Sequence, residues 1–265
     1  MKIIYDERAF LEEGSVAALG MFDGVHIGHQ ELIRNAVTLA KSMNARSVVC
    51  TFDRHPLTVL RPEAAPTLIT SIPEKARMMR LYGADEMQLI PFTRRLADLS
   101  PEEFLQRLRG STRLLAVVAG WNYSFGRGGA GTAETLIRDG ERHGYAVRIV
   151  PPVTIEGGDR VVSSSAVREA VAAGDLHLAA IMLGRFPEFG GIAEQPAGSA
   201  ESSIRLRNRL LPPDGIYRSR IRFSGERESE KRVIRLENGR ATPEDQPGFR
   251  QAAGEKCRLI LEGRL

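Results

Sequence analysis

The chain has 265 residues, 42% of them hydrophobic and 26% charged, with a formal net charge of +4. At roughly 150 residues per domain this makes one large domain or two modest ones, with enough apolar material for a real core. The mix excludes disordered and collagen-like chains, and no run of about 18 apolar residues exists to span a membrane. The start, Met1-Lys2-Ile3-Ile4-Tyr5-Asp6-Glu7-Arg8, turns acidic at once and offers no secretory apolar region. Cys50 and Cys257 make no disulfide framework and are expected as unpaired thiols in a reducing cytoplasm.

In chain order, nearly continuous apolar runs predict strands at Ser15–Gly20, Ala45–Phe52, Glu86–Ile90, Leu114–Ala119 and Ala146–Val150. Helical patterns fall between them at Gly28–Ser42, Ser71–Tyr82, Pro101–Leu108 and Thr132–His143. Asn44 can close the first helix in a left-handed conformation, and Gly83, Gly110 and Gly144 sit where the later ones should stop. Alternation of this kind predicts an α/β fold, a doubly wound parallel sheet that binds ligands outside the carboxyl ends of its strands.

Ser163-Ser164-Ser165 then caps a helix, Gly174-Asp175 breaks it, and a short helix follows at Leu176–Leu183. Residues 184–203 are rich in Gly, Pro, Ser and Ala and read as a linker or poorly packed stretch. Beyond it, β-like runs at Gly215–Phe223, Arg232–Leu236 and Lys256–Glu262 predict a small, mostly β domain. The expected domains are thus 1–183 and 184–265. Residues 200–265 hold 15 Lys/Arg against 10 Asp/Glu, but the charges interleave, as in Glu226-Arg227-Glu228-Ser229-Glu230-Lys231-Arg232. That pattern reads as a solvated surface, and nucleic acid is not an expected partner; a tail binding RNA or a partner protein would show steep salt dependence.

The sharpest motif is Gly20-Met21-Phe22-Asp23-Gly24-Val25-His26-Ile27-Gly28-His29-Gln30, between the first strand and the first helix. Glycines let backbone approach a ligand, and a helix start presents N–H groups that suit phosphate. His26 and His29 add two imidazoles, and Gly28 between them leaves room for a phosphoryl group. The same pair could instead bind a metal, although no third ligand is evident, or be buried histidines satisfied by backbone.

This string resembles the FMN adenylyltransferase module of prokaryotic FAD synthetases, within the nucleotidylyltransferase superfamily marked by H-x-G-H. Three further segments match in order. Thr51-Phe52-Asp53-Arg54-His55-Pro56 is similar to the family's T-F-x-x-H-P. Gly120-Trp121-Asn122-Tyr123-Ser124-Phe125-Gly126-Arg127-Gly128-Gly129-Ala130-Gly131 is similar to its glycine-aromatic loop, and Ser163-Ser164-Ser165-Ala166-Val167-Arg168 to its S-S-T-x-[IV]-R. The resemblance implies transfer of AMP from ATP to FMN, giving FAD and pyrophosphate, with Mg²⁺ accompanying ATP and no protein metal cage. It implies catalytic roles for His26, His29 and Arg168. Gly20, Phe22, Asp23, Gly24, Gly28, Ser163, Ser164 and Ser165 would contact nucleotide and phosphates. His55, Pro56, Asn122, Tyr123, Phe125 and Gly126 would line the flavin and adenine.

Leu183-Gly184-Arg185 and Leu211-Pro212-Pro213-Asp214-Gly215-Ile216-Tyr217 resemble the junction and strand entry of the riboflavin kinase domain that usually follows. The kinase's P-T-A-N and R-x-E-x-x-F segments are missing, and the tail is short. The expectation is a reduced, kinase-like barrel without kinase activity in a cytoplasmic enzyme. Alternatives are another H-x-G-H nucleotidylyltransferase and a non-catalytic flavin-nucleotide-binding protein. The sequence specifies no oligomeric state.

Overall fold

The computed structural model describes residues 2–4, 11–155, 158, 160–195, 202–207, 210–224, 230–244 and 254–265. Residues 196–201 of the expected linker and 226–229 of the charged run lie outside the described residues. The chain divides into two compact units, Met1–Val162 and Ser163–Leu265. Among the described residues no helix is long and apolar enough to cross a membrane.

The first unit runs β1 (Lys2–Ile4), β2 (Leu11–Leu19), α1 (Ile27–Ser42), β3 (Arg46–Phe52), α2 (Leu57–Leu60), α3 (Ile72–Leu81), β4 (Glu86–Ile90), α4 (Arg94–Ala97), α5 (Pro101–Gly110), β5 (Thr112–Gly120), α6 (Ala133–His143) and β6 (Ala146–Val150). A small antiparallel pair, β7 (Thr154–Ile155) and β8 (Arg160–Val161), closes it. The six main strands form one parallel sheet in the order β1-β4-β3-β2-β5-β6. Strand alternation divides its core. Val16, Ala18, Val49, Ala116 and Val118 face Ile33, Ala36 and Met79 of α1 and α3. Ala17, Leu19, Val48, Val117 and Ala119 face Phe104, Leu105 and Leu136 of α5 and α6. Full burial of a side chain such as Leu105 stabilises the unit by roughly 1.5–3 kcal/mol.

The expected doubly wound sheet is therefore present. The chain steps from β2 to β4 on one side and from β5 to β6 on the other, so the strand order reverses between β2 and β5. Ligand crevices in such sheets open there. Three differences from the sequence reading have local causes. The edge strand β1 is three residues long, too short to show a period. Gly110 does not stop α5 in a left-handed turn; it is the last helical residue, and Ser111 caps the end with its N–H on Leu108 O at 3.2 Å. Residues 188–194 are not a linker but a barrel strand.

The second unit opens with α7 (Ser164–Ala172) and α8 (Leu176–Leu183). β9 (Glu188–Glu194), β10 (Ser203–Leu206), β11 (Gly215–Phe223), β12 (Glu230–Glu237), β13 (Arg240–Pro243) and β14 (Lys256–Arg264) follow. These six strands close an antiparallel barrel in the order β10-β13-β12-β11-β14-β9. Ile204, Tyr217, Ile221, Ile234, Leu236, Leu259 and Leu261 fill it. Gly191 explains the misleading composition of β9: a Cβ there would lie 2.2 Å from Ile204 Cγ2, so the barrel closes only around a residue without a side chain.

Candidate active site

The loop from β2 to α1 takes a costly path. Phe22, Gly24 and Val25 have φ of 51°, 80° and 42°. A left-handed conformation costs a non-glycine residue roughly 1–3 kcal/mol and persists only where its surroundings over-determine it. Here they do. The fully buried Asp23 carboxylate accepts the N–H groups of Ile69 and Thr70, each at 3.0 Å, and the Thr70 hydroxyl at 3.3 Å. Gly24 N–H donates to Thr70 Oγ1 at 3.0 Å, and Gln30 Nε2 to Val25 O at 3.0 Å. The Met21 carbonyl accepts from Thr51 Oγ1 at 2.9 Å and from Lys75 Nζ at 2.8 Å.

This path delivers the two histidines as a stack. Their ring centroids are 3.7 Å apart with planes 17° from parallel, and Phe22 meets His29 at 5.1 Å. His26 is the N-cap of α1: its Nδ1 accepts the His29 N–H at 3.3 Å. The neutral His26 ring therefore carries its proton on Nε2. A Cβ on Gly28 would lie 3.3 Å from the His26 ring, so this glycine makes room for the imidazole itself. Among the described residues the His29 side chain makes no hydrogen bond, and its Nδ1 is buried without a partner. Burial holds His29 well below the ordinary 6.5, and the charges of His26 and Lys75 push the same way.

A second feature lies at the ends of β3, β4 and β5. A cleft of about 550 Å³ is walled by Phe52, Phe92, Phe104 and Tyr123 with Pro56 and Gly126, and Arg61, Arg94 and Arg127 also line it. The glycine-aromatic loop is shut by mutual backbone hydrogen bonds between Phe125 and Gly131, 3.1 and 2.8 Å, and Arg127 donates to Asp98 O at 2.7 Å. Tyr123 stacks on Phe125 at 5.7 Å, which rests on Phe104 at 5.3 Å. Burial pushes the Tyr123 phenol up, so it is a neutral ring throughout the physiological range.

The structure groups the expected residues unevenly. Gly20, Phe22, Asp23, Gly24, His26, Gly28 and His29 share the β2–α1 loop. Pro56, Tyr123, Phe125 and Gly126 line the cleft, although Phe125, 5% exposed, belongs chiefly to the core. His55 turns its Nδ1 to the Leu57 N–H at 3.2 Å, and Asn122 is exposed beside Gly120. Ser163, Ser164, Ser165 and Arg168 start α7 in the second unit, where Ser163 Oγ accepts the Ala166 N–H at 3.1 Å. The sequence reading missed Lys75, which is 2% exposed. Its signal was present: Lys75 interrupts the apolar stripe Ile72, Ala76, Met79 of α3, where a charge has no bland use.

A family profile described as FAD synthetase matches residues 10–166, more than half the chain. The chain belongs to the FAD synthetase family. The bifunctional riboflavin kinase/FMN adenylyltransferase of Bacillus subtilis (strain 168) is 32% identical over 221 residues, 80% of this chain and 69% of that protein. The Escherichia coli (strain K12) protein of the same name is 30% identical over 223 residues, 82% and 71% of the two chains. A crystal structure titled Macrolide-efflux Protein, from Streptococcus pneumoniae, superposes with a TM-score of 0.84 at 27% identity, covering 100% of this chain and 90% of that one. What the two chains share is the fold.

Proposed function

We propose that this FAD synthetase is an FMN adenylyltransferase without riboflavin kinase activity. The observation that carries the transfer is the stacked histidine pair at the start of α1, with a buried His29 nitrogen that no group among the described residues satisfies. An orphaned buried acceptor or donor costs about 1–3 kcal/mol, a cost a bound ligand relieves.

In the proposed reaction a phosphate oxygen of FMN attacks the α-phosphorus of ATP in line. The bond from that phosphorus to the bridging oxygen breaks, and pyrophosphate leaves with the electron pair. No covalent enzyme intermediate is needed, because alignment and charge stabilisation supply the catalysis. His26 and His29 act as hydrogen-bonding imidazoles on the phosphates, and burial disfavours a proton on His29. Ser164, Ser165 and Arg168 hold the β and γ phosphates, and Arg168 offers the leaving group a bidentate guanidinium. Gly20, Gly24 and Gly28 give the backbone its close path, Phe22 supports His29, and Asp23 fixes the turn. The flat flavin occupies the aromatic cleft against Tyr123 and Pro56, with Phe125 and Gly126 beneath and His55 and Asn122 at its margins.

Both Asp23 oxygens are engaged by the Ile69 and Thr70 backbone, so this carboxylate is committed to the turn, and Mg²⁺ is assigned to the MgATP substrate.

Loss of the kinase is supported by the missing P-T-A-N segment: Ser202-Ser203 leads straight into β10. We retain 1–183 as the adenylyltransferase domain and 184–265 as its degenerate kinase-like companion. Incubation with FMN and MgATP, resolved by chromatography, should give FAD and pyrophosphate, whereas riboflavin with MgATP should give no FMN. Steady FMN formation from riboflavin would overturn the kinase half of the proposal, and absence of FAD the transferase half.

A further inference from the structure

We propose that Lys75 is a positioning residue for adenylyl transfer: its buried ammonium fixes the Met21 carbonyl and, through it, the strained turn that delivers His26 and His29. The kinetic part of this inference rests on the adenylyltransferase reading.

Two charged side chains tie the β2–α1 loop and the start of α3 together in opposite directions. Asp23 reaches from the loop to the backbone of Ile69 and Thr70, just before α3. Lys75 reaches from α3 to the backbone of Met21. Between these anchors lies Phe22, left-handed at φ 51° and in ring contact with His29. A shift of Met21 therefore moves the residue on which His29 leans.

A hydrogen bond alone does not explain a lysine. Thr51 already gives the Met21 carbonyl a neutral donor at 2.9 Å. Burying an ammonium costs far more than burying an amide or hydroxyl, so the charge itself is what this position retains. The titratable groups coupled to it are the Asp23 carboxylate and the His29 imidazole, and Thr51 Oγ1 lies 3.5 Å from Nζ. Burial pushes Lys75 down to about 8, while Asp23 pulls it up. Its charge in turn disfavours a proton on His29. Below about pH 8 the lysine thus supplies a buried cation behind the loop that carries the histidines, and it disfavours a proton on His29.

The test uses the full chain with Lys75→Gln, Lys75→Met and Thr51→Val, read by FAD formation, thermal melting and substrate-free imidazole NMR. Both lysine variants should lose at least about tenfold in kcat/KM for MgATP, with KM for FMN within about threefold and no fall in melting temperature. Thr51→Val, which keeps the charge, should lose less. The wild-type kcat/KM profile should bend down near pH 8, and that limb should vanish in Lys75→Gln. The His26 and His29 resonances should shift in both lysine variants. Turnover within about twofold of wild type, or unchanged imidazole resonances, would overturn the proposal. If the wild type makes no FAD, the adenylyltransferase reading fails by itself, and the imidazole spectra still decide the role of Lys75. If the lysine variants do not fold, the wild-type lysine ¹³Cε spectrum decides: one lysine must titrate near pH 8 with the His29 resonances moving alongside, and independent titration refutes the coupling.

Discussion

The His26 ring lies flat against the His29 ring at 3.7 Å, while its Nδ1 holds the His29 backbone N–H. One imidazole therefore both caps α1 and forms half of the stacked pair, whereas the other has no side-chain hydrogen bond among the described residues to lose.

The two histidines should separate on mutation. His29→Ala should lower kcat by roughly 10²–10³-fold, the scale for losing one preorganised donor to a transition state. Stability should hold, and KM for FMN should change by less than about threefold. His26→Ala should match that loss and also cost about 1 kcal/mol of stability as an N-cap deletion. Steady-state kinetics with urea melts distinguish the two; equal stability loss in both would contradict the assignment.

The proposal that flavin occupies the aromatic cleft predicts a different signature. Tyr123→Ala removes the ring stacked on Phe125 and should raise KM for FMN by roughly 3–10-fold, equivalent to about 0.5–1.5 kcal/mol of aromatic contact. Tyr123→Phe should stay near wild type, since the phenol is neutral. An unchanged FMN affinity in Tyr123→Ala would move the flavin out of this cleft.

Glycines of the same loop are sterically fixed. A Cβ on Gly131 would sit 2.6 Å from the Phe125 ring, and one on Gly126 would sit 2.8 Å from the Pro101 nitrogen at a φ of 73°. Either alanine variant should lose about 1–3 kcal/mol, measured by chemical denaturation, and should weaken FMN more than ATP. Gly128→Ala, where no atom lies within 4 Å, meets only the strain of its positive φ and should lose less.

Stability should depend on pH through the buried bases. The folded pKa of Lys75, about 8, lies below the ordinary 10.5, so the unfolded chain holds that proton more tightly. The resulting penalty is complete below pH 8 and fades as pH rises towards 10.5. It is on the order of 3 kcal/mol, against about 1 kcal/mol for the hydrogen bond to Met21. Lys75→Met should therefore be more stable than wild type at pH 7 and should lose that advantage by pH 10. His29 acts at lower pH. Its folded pKa is depressed, so the unfolded chain protonates first and stability falls as pH drops below about 6.5. Urea melts across this range should show a shallower fall in His29→Gln.

The sequence by itself determined the parallel sheet, because its strands are apolar on both faces and its helices carry their own caps and stops. It also marked the β2–α1 loop, the glycine-aromatic loop and the start of α7, since each gathers glycines, imidazoles, aromatics or hydroxyls within a few consecutive residues. Only the tertiary structure decided what depends on residues distant in the chain. Lys75 meets Met21 across 54 positions and Asp23 meets Thr70 across 47, and no local period encodes such pairings. Phe125 could not be separated from Tyr123 by composition, because packing against Phe104 makes Phe125 part of the core while Tyr123 stays partly buried against it. β9 could not be told from a linker, because Gly191 is required by the approach of Ile204, a neighbour that only the closed barrel brings near.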